Sequence, residues 1–212
     1  MSEAPIWQFI NELSSEAPIP GGGGASGLVA ACGMALGNMV LSLTTGKKKF
    51  EQYQEEIDSL IEKGNNLTDA LLRGMDADAA AFIPLTMAYR LPKETEEEQA
   101  HRDEVMEEAL VGASEAPLHM MANIMEAMHL IHRIAEIGSR MAISDAGVGI
   151  QCCMAAMHGA SLNVFINTKA MKNREVAEDM NRRADALIKE AELVGNRTYE
   201  LVLEAVRPKE EA

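Results

Sequence analysis

Aromatic residues are scarce in this chain: Phe, Tyr and Trp together make up 4% of its 212 residues. Strands favour β-branched and aromatic side chains, so a sheet-built core is disfavoured. Positive charge is also short. Against 33 Asp and Glu stand 19 Lys and Arg, and the net charge is -14. Nucleic acid and anionic membrane surfaces both call for a basic face, so neither is expected as a partner. Cysteine is rare, at three residues, and Cys152 and Cys153 are adjacent. That odd count excludes a disulfide framework and points to a reducing, cytoplasmic setting. No CxxC or HxxxH spacing occurs, so no metal site is expected. The Met-Ser-Glu-Ala-Pro start has neither a basic nor an apolar region of a signal peptide. No apolar run reaches the roughly 20 residues of a membrane span.

What is present is a helix-forming composition. Hydrophobic residues are 47%, charged residues 25%, and Met is unusually frequent at 15. A core of Ala, Leu, Ile and Met suits packed helices. Residues 5–15 place Ile6, Phe9, Ile10 and Leu13 on one helical face. The chain then breaks at Pro18-Ile19-Pro20 and at Gly21-Gly22-Gly23-Gly24, a run too entropically costly to be expected in a helix. A nearly all-apolar helix is predicted from Ala25 to about Leu43. An amphipathic helix follows over 50–73, and another from an Asp76 cap to about Tyr89. Residues 93–112 read as an acidic, solvated helix. Ser114 starts the next, with Pro117 in its first turn. Ser144 or Asp145 caps a helix to about Thr168, and a last one covers 173–206. Pro208 and the charged end read as a frayed terminus. No linker or repeat appears. The expectation is one all-α domain over 1–212, a bundle of about seven to eight helices.

Two of these helices carry stripes of small residues: Ser26, Ala30, Gly33 and Gly37, and Gly149, Ala156, Gly159 and Ala160, continued by Asn163 and Asn167. Glycine within a helix costs about 1 kcal/mol relative to alanine, so each stripe needs a reason. Close helix contact is one, and room for a ligand between helices is another. The glycine run meets a helix N-terminus, where free N–H groups favour an anion or dipole. It fits neither the Walker nor the dinucleotide pattern, and no strand precedes it. Lys47-Lys48-Lys49 is the main positive feature. It can compensate a helix C-terminus or attract a carboxylate-bearing ligand.

The ordered set Pro18-Ile19-Pro20-Gly21-Gly22-Gly23, a small-residue helix, then Thr45-Gly46-Lys47-Lys48-Lys49-Phe50 resembles the cyclodeaminase domain of the formiminotransferase-cyclodeaminase family. Asp78-Ala79-Ala80-Ala81-Phe82, Ser144-Asp145-Ala146-Gly147-Val148 and the segment Gly159 to Asn167 extend the likeness over nearly the whole chain. Where the family often has serine directly after the third glycine, this chain has Gly24 and Ala25, and its serine comes at Ser26. The resemblance implies an all-α homodimer without a fused formiminotransferase domain. It also implies a tetrahydrofolate derivative as substrate, with or without a polyglutamate tail, and no further cofactor. Relatives close 5-formimino-tetrahydrofolate to 5,10-methenyl-tetrahydrofolate with loss of ammonia. Alternatively, they add water to the methenyl bridge and give 10-formyl-tetrahydrofolate.

Either reaction needs proton transfer at one carbon and a carboxylate near developing positive charge. The first candidate is Asp145, whose plain alternative is helix capping. Asp78 is second, its alternative being a solvated first-turn acid. Lys48 can supply a proton or, with Lys47, hold the glutamate tail. Gly21, Gly22, Gly23, Gly24 and Ser26 form the expected substrate cradle. Asn163 and Asn167, one turn apart, can bind the pterin edge or a neighbouring helix. The five histidines form no persuasive constellation. Cyclodeamination is the first expectation and methenyl hydrolysis the second. A helical folate-binding scaffold without catalysis is the third.

Overall fold

The computed structural model describes residues 1–208, and the charged end beyond Pro208 lies outside the described residues. Among the described residues six α-helices form: α1 (Ile6–Leu13), α2 (Gly22–Ser42), α3 (Gln54–Ala88), α4 (Glu96–Ile137), α5 (Ile143–Ala170) and α6 (Arg174–Val206). Short 3-10 segments at Lys48–Tyr53 and Arg140–Ala142 lead into α3 and α5. No strand occurs among the described residues. The all-α class is as expected, with fewer and longer helices.

The count falls because two expected breaks are absent. Asp76 does not cap a helix. It lies within α3, where its carboxylate receives the Met1 ammonium at 2.9 Å and the Ser2 hydroxyl at 2.6 Å. Ser114 likewise starts nothing. It is fully buried within α4, its hydroxyl donating to the Leu110 carbonyl at 2.8 Å. The α4 N-terminus is set by Thr95 instead. Its side chain accepts from the Glu98 N–H while Glu98 reaches back to the Thr95 N–H, a reciprocal cap that satisfies two otherwise free donors.

Pro117 therefore sits in the interior of α4 rather than in a first turn. A proline there supplies no N–H to the carbonyl four residues back, which is that of Ala113. The Asn167 side chain replaces the missing donor, its Nδ2 bonding Ala113 O at 2.8 Å. Asn167 is thus committed to holding α5 against α4.

Helices α2, α3, α4 and α5 form a closed ring in which each packs against the next, and α6 lies along α4 and α5. The interior is filled by flexible and aliphatic side chains, Met34, Leu41, Leu71, Met121, Ile124 and Met128 among them, each essentially inaccessible. Phe9 is the one aromatic side chain among the buried residues, and it anchors α1. Ile6 and Ile10, expected beside it, face outward.

The close partner of α2 is α5, running antiparallel to it. A methyl group on Gly33 would stand 2.7 Å from the Gly149 carbonyl oxygen, and one on Gly149 would stand 2.7 Å from that of Gly33. Backbone touches backbone there, and no side chain can retreat. This is the helix-contact reading of the small-residue stripes. The first turn of α2 also differs from expectation, for Gly22, Gly23 and Gly24 are helical and only Gly21 is extended. Buried Gly23 and Gly24 leave room for what packs over them, as described below.

By length and composition α2 and the segment Arg140–Ala170 are apolar enough to cross a membrane, contrary to the expectation that no such segment exists. The sequence shows no unbroken apolar run because glycine, serine and asparagine interrupt it. Glycine and serine cost little in hydropathy, and the few asparagines are outweighed by the apolar residues around them. Both helices have one side in the bundle core.

Two outcomes test this packing. Gly33→Ala gains helix propensity by about 1 kcal/mol yet should lower stability by about 1–3 kcal/mol in denaturant unfolding, because overpacking meets backbone. Asn167→Leu should cost about 1–3 kcal/mol by stranding the Ala113 carbonyl. That cost should shrink in a Pro117→Ala background, where residue 117 regains its N–H, and a double-mutant cycle reads the coupling.

Candidate functional site

The α2–α5 register gathers several expected residues at one end of the pair. Gly21 is the extended N-cap of α2 and offers no side-chain cap, so the first-turn N–H groups lack intrahelical partners. Against Gly23 lies Asp78 of α3, whose carboxyl occupies the space that any side chain on Gly23 would need. Gly22 faces Asn163 of α5, where a methyl group would meet the amide at 3.5 Å. Ser26 donates to the Gly22 carbonyl at 2.8 Å, and its hydroxyl packs on Gly159. Asn163 donates from Nδ2 to the Gly159 carbonyl at 2.9 Å, which leaves its Oδ1 for another partner. The glycines at 23 and 159 are therefore seats for Asp78 and Ser26.

Asp78 is half-buried, well inside α3, and neither a first-turn nor a solvated acid. Two effects compete on it. The α2 N-terminus favours the carboxylate, by an amount that is modest without direct hydrogen bonds. Burial disfavours it. Burial wins, and it alone pushes the carboxyl above the ordinary aspartate range. Two residues away Asp76 goes the other way. The Ser2 hydroxyl and then the terminal ammonium hold it below that range. Two neighbouring carboxyls with opposed environments mark one as structural and the other as available for proton transfer.

The other expected residues lie at the opposite end. Helix α2 has 21 residues, so Lys47 and Lys48 stand about 30 Å from the glycine turn. They are exposed and line an open hollow of about 480 Å³ with Gly46, Glu51 and Gln54. The start of α5 belongs to this end too, since the Ser139 N–H donates to Thr44 Oγ1 at 2.9 Å and Gly138 packs on Val40. Helix α5 begins at Ile143 with Ala142 as its uncapped N-cap residue, so Ser144 and Asp145 lie inside the first turn and cap nothing. Asp145 is half-buried there. Along α5 it stands about 27 Å from Asn163. The expected cooperation of Asp78 with Asp145 at one carbon is therefore not built within one chain. Asn167, one turn past Asn163, is bound to α4 as above and does not join the glycine end.

The glycine end thus holds Gly21–Gly24, Ser26, Asp78 and Asn163, and the lysine end holds Lys47, Lys48 and Asp145. Sequence reasoning missed Asp76 as the anchor of the chain start, and Gly159 as the seat of Ser26. Both depend on contacts distant in sequence. Among the described residues no group of three or more His, Cys, Asp and Glu side chains is arranged for a metal.

Comparison with known proteins places this geometry. Residues 5–186 match the family model described as formiminotransferase-cyclodeaminase. A methenyltetrahydrofolate cyclohydrolase of Methylorubrum extorquens is 38% identical over 93% of this chain and 95% of its own. A formimidoyltransferase-cyclodeaminase of Rattus norvegicus is 31% identical over 89% of this chain, and the chain spans 35% of that protein. A formiminotetrahydrofolate cyclodeaminase of Thermotoga maritima shares the fold at a TM-score of 0.81 and 24% identity, with 96% of each chain covered.

The burial of Asp78 has a measurable sign. Its folded-state acidity is weaker than its unfolded-state acidity, so the folded chain holds the proton more tightly between the two. Stability from this group is therefore lost as pH rises through that interval. Asp78→Asn removes the charge in the same volume. It should leave stability at pH 7 equal or raised in denaturant unfolding, and the gain should vanish below the ordinary aspartate range. A loss of stability at pH 7 would show that the carboxylate is a structural partner instead.

Proposed function

The chain belongs to the formiminotransferase-cyclodeaminase family, and from that premise we propose that it adds water to 5,10-methenyl-tetrahydrofolate to give 10-formyl-tetrahydrofolate. The observation that carries the reading is Asp78, a half-buried carboxyl of raised pKa beside an open helix N-terminus. The end-to-end similarity to a cyclohydrolase supports water as the second reactant.

The carbon under attack lies between two nitrogens that share a positive charge. When that cation enters beside Asp78, it supplies a counter-charge, and the carboxyl ionises. As the base it takes one proton from water while the water oxygen bonds to the carbon. The adduct then collapses. Its C–N5 bond breaks, N5 takes the proton back from Asp78, and the hydroxyl proton leaves to solvent as the formyl C=O forms. The free Oδ1 of Asn163 and the first-turn N–H groups of α2 are the groups that orient the pterin edge. Lys47 and Lys48 suit the carboxylates of the glutamate tail. No cofactor beyond the folate is needed. Three free thiols fit a reducing cytoplasm. The enzyme works as a homodimer.

Cyclodeamination is the second reading, favoured by the similarity to formimidoyltransferase-cyclodeaminases. There N10 attacks the formimino carbon and ammonia leaves, so a protonated Asp78 would serve as the acid.

Near-ultraviolet absorbance of the methenyl compound separates the two. Accelerated loss supports the hydrolase, and appearance from the formimino compound supports the lyase. Asp78→Asn should lower turnover by about 10²–10⁴-fold. For the hydrolase, kcat/KM should rise with pH through an ionisation above the ordinary aspartate range. The same ionisation in kcat should fall lower, because the bound cation stabilises the carboxylate. A rate that declines as Asp78 ionises would assign it the acid role and favour the lyase.

A further inference from the structure

Residues 1–20 are loosely joined to the bundle. Among the described residues, every hydrogen bond of residues 3–19 stays within this stretch, as from the Ser14 hydroxyl to the Asn11 carbonyl and from that of Ser15 to Glu12. The segment is tied down at two places. At Asp76 the Ser2 hydroxyl and N–H arrive at 2.6 and 3.3 Å, beside the Met1 ammonium. At Gly24 a methyl group would meet Met1 Sδ at 3.1 Å and Phe9 Cε2 at 3.8 Å. Both ties border the candidate site. Gly24 follows the glycine on which Asp78 is seated, and Asp76 is two residues from Asp78.

Helix α1 is docked by one edge of its apolar stripe. Phe9 is buried, whereas Ile6, Trp7 and Ile10 are exposed at 70%, 68% and 49%. At 3.6 residues per turn, Ile6, Ile10 and Trp7 lie about 60°, 100° and 160° round the helix from Phe9. Residues 14–18, which follow α1, are all exposed. An element with one buried anchor and local hydrogen bonds opens at low cost, as active-site lids do. Charge narrows what the exposed edge can cover. No Lys or Arg precedes Lys47, so α1 has no basic residue to seat it on an anionic membrane. Glu3, Glu12 and Glu16 repel a glutamate tail, yet residues 4–11 carry no charge. A flat, uncharged aromatic ring next to the one-carbon bridge fits that edge. Tetrahydrofolate has such a ring, the aminobenzoyl group attached at N10.

We propose that α1 is a substrate lid: with folate beside Asp78, it rolls about Phe9 and lays Ile6, Trp7 and Ile10 on the aminobenzoyl ring. The inference deepens the functional reading above and rests on it for the identity of the substrate. Closure gives the site an apolar wall. Asp78, Asn163 and the first-turn N–H groups of α2 are polar and suit the pterin and its bridge, and none of them suits a benzene ring. The tie of Ser2 to Asp76 precedes the pivot in the chain and keeps the chain start in place while α1 turns. Trp7 thereby becomes a binding residue, although it touches little in the open form.

Trp7 is the only tryptophan in the chain, so its fluorescence reports on the lid alone. The probe is 5-formyl-tetrahydrofolate, which carries the aminobenzoyl ring and a one-carbon unit but no bridge to hydrolyse. Its binding is measured separately by calorimetry. Acrylamide quenching is a ratio taken at each ligand concentration, so absorbance by the ligand drops out. The quenching constant should be high in the free chain and fall severalfold at saturation, as Trp7 leaves water. An unchanged constant with folate bound overturns the lid alone. So does a low constant in the free chain, which puts Trp7 under a standing cover such as a second copy. A chain that binds no folate overturns the lid and the functional reading together. Kinetics give a second arm. Trp7→Ala should raise KM about tenfold, the loss of one aromatic contact. Its kcat should stay within about twofold, because the ring is held equally in ground and transition states. Trp7→Phe should recover most of the loss, and the melting temperature of both variants should match wild type, since the side chain is exposed in the free chain. A wild-type KM in Trp7→Ala sinks the assignment.

Discussion

The contact of Gly33 with Gly149 sets the register on which the rest of the molecule depends. Each glycine stands where a methyl group would strike the other's carbonyl oxygen, so α2 and α5 approach to backbone contact and cannot slide by a turn. From that one crossing the helical rise brings Ser26 to Gly159 and Gly22 to Asn163. It also sends the end of α2 to the start of α5, where Thr44 receives the Ser139 N–H. Glycine in a helix costs about 1 kcal/mol relative to alanine. The cost is met by packing two helices that carry almost no charge, whose buried Met and Leu neighbours are each worth about 1.5–3 kcal/mol when fully removed from water. A looser crossing, with alanine at either position, would separate Asp78 from neither its helix nor its burial. It would displace Asn163 relative to it.

Much of this was legible in the sequence, and the failures have physical causes. The scarcity of aromatic residues and the threefold to fourfold periodicity specify an all-α bundle whatever the contacts. Helix ends are different. Asp76 and Ser114 have the side chains of N-caps, but the bundle supplies both with other partners, the chain start and the Leu110 carbonyl, and the helices run on. Pro117 is chemically a breaker, yet Asn167 supplies the lost donor from fifty residues away. Local propensity cannot anticipate a hydrogen bond from another helix. The polyglycine run shows the same limit in reverse. Its entropy argues for a loop, yet it forms the first turn of α2, packed against Asp78, Asn163 and Met1 from elsewhere in the chain.

The site divides along the same line. Asp78, Asn163 and the glycines were named from ordered motifs, and the fold gathers them. Asp145 was named from the same kind of motif, and within one chain the fold takes it to the far end. Sequence motifs carry no distance, so they do not tell which end of the bundle each residue reaches.

The two ends have complementary chemistry. A methenyl folate carries a cation at its one-carbon bridge and anions along its glutamate tail. An acidic protein faces opposite problems with the two. The bridge calls for a carboxyl with no fixed cationic partner, and Asp78 fits this because burial alone shifts it. Asp76, with its ammonium partner, would offer far less. The tail needs positive charge in a chain that has little. Lys47 and Lys48 line an open hollow just past the end of an uncharged helix. One subunit holds these two solutions about 30 Å apart. At that separation, well beyond the roughly 10 Å over which salt screens exposed charges, the carboxyl and the lysines do not neutralise each other.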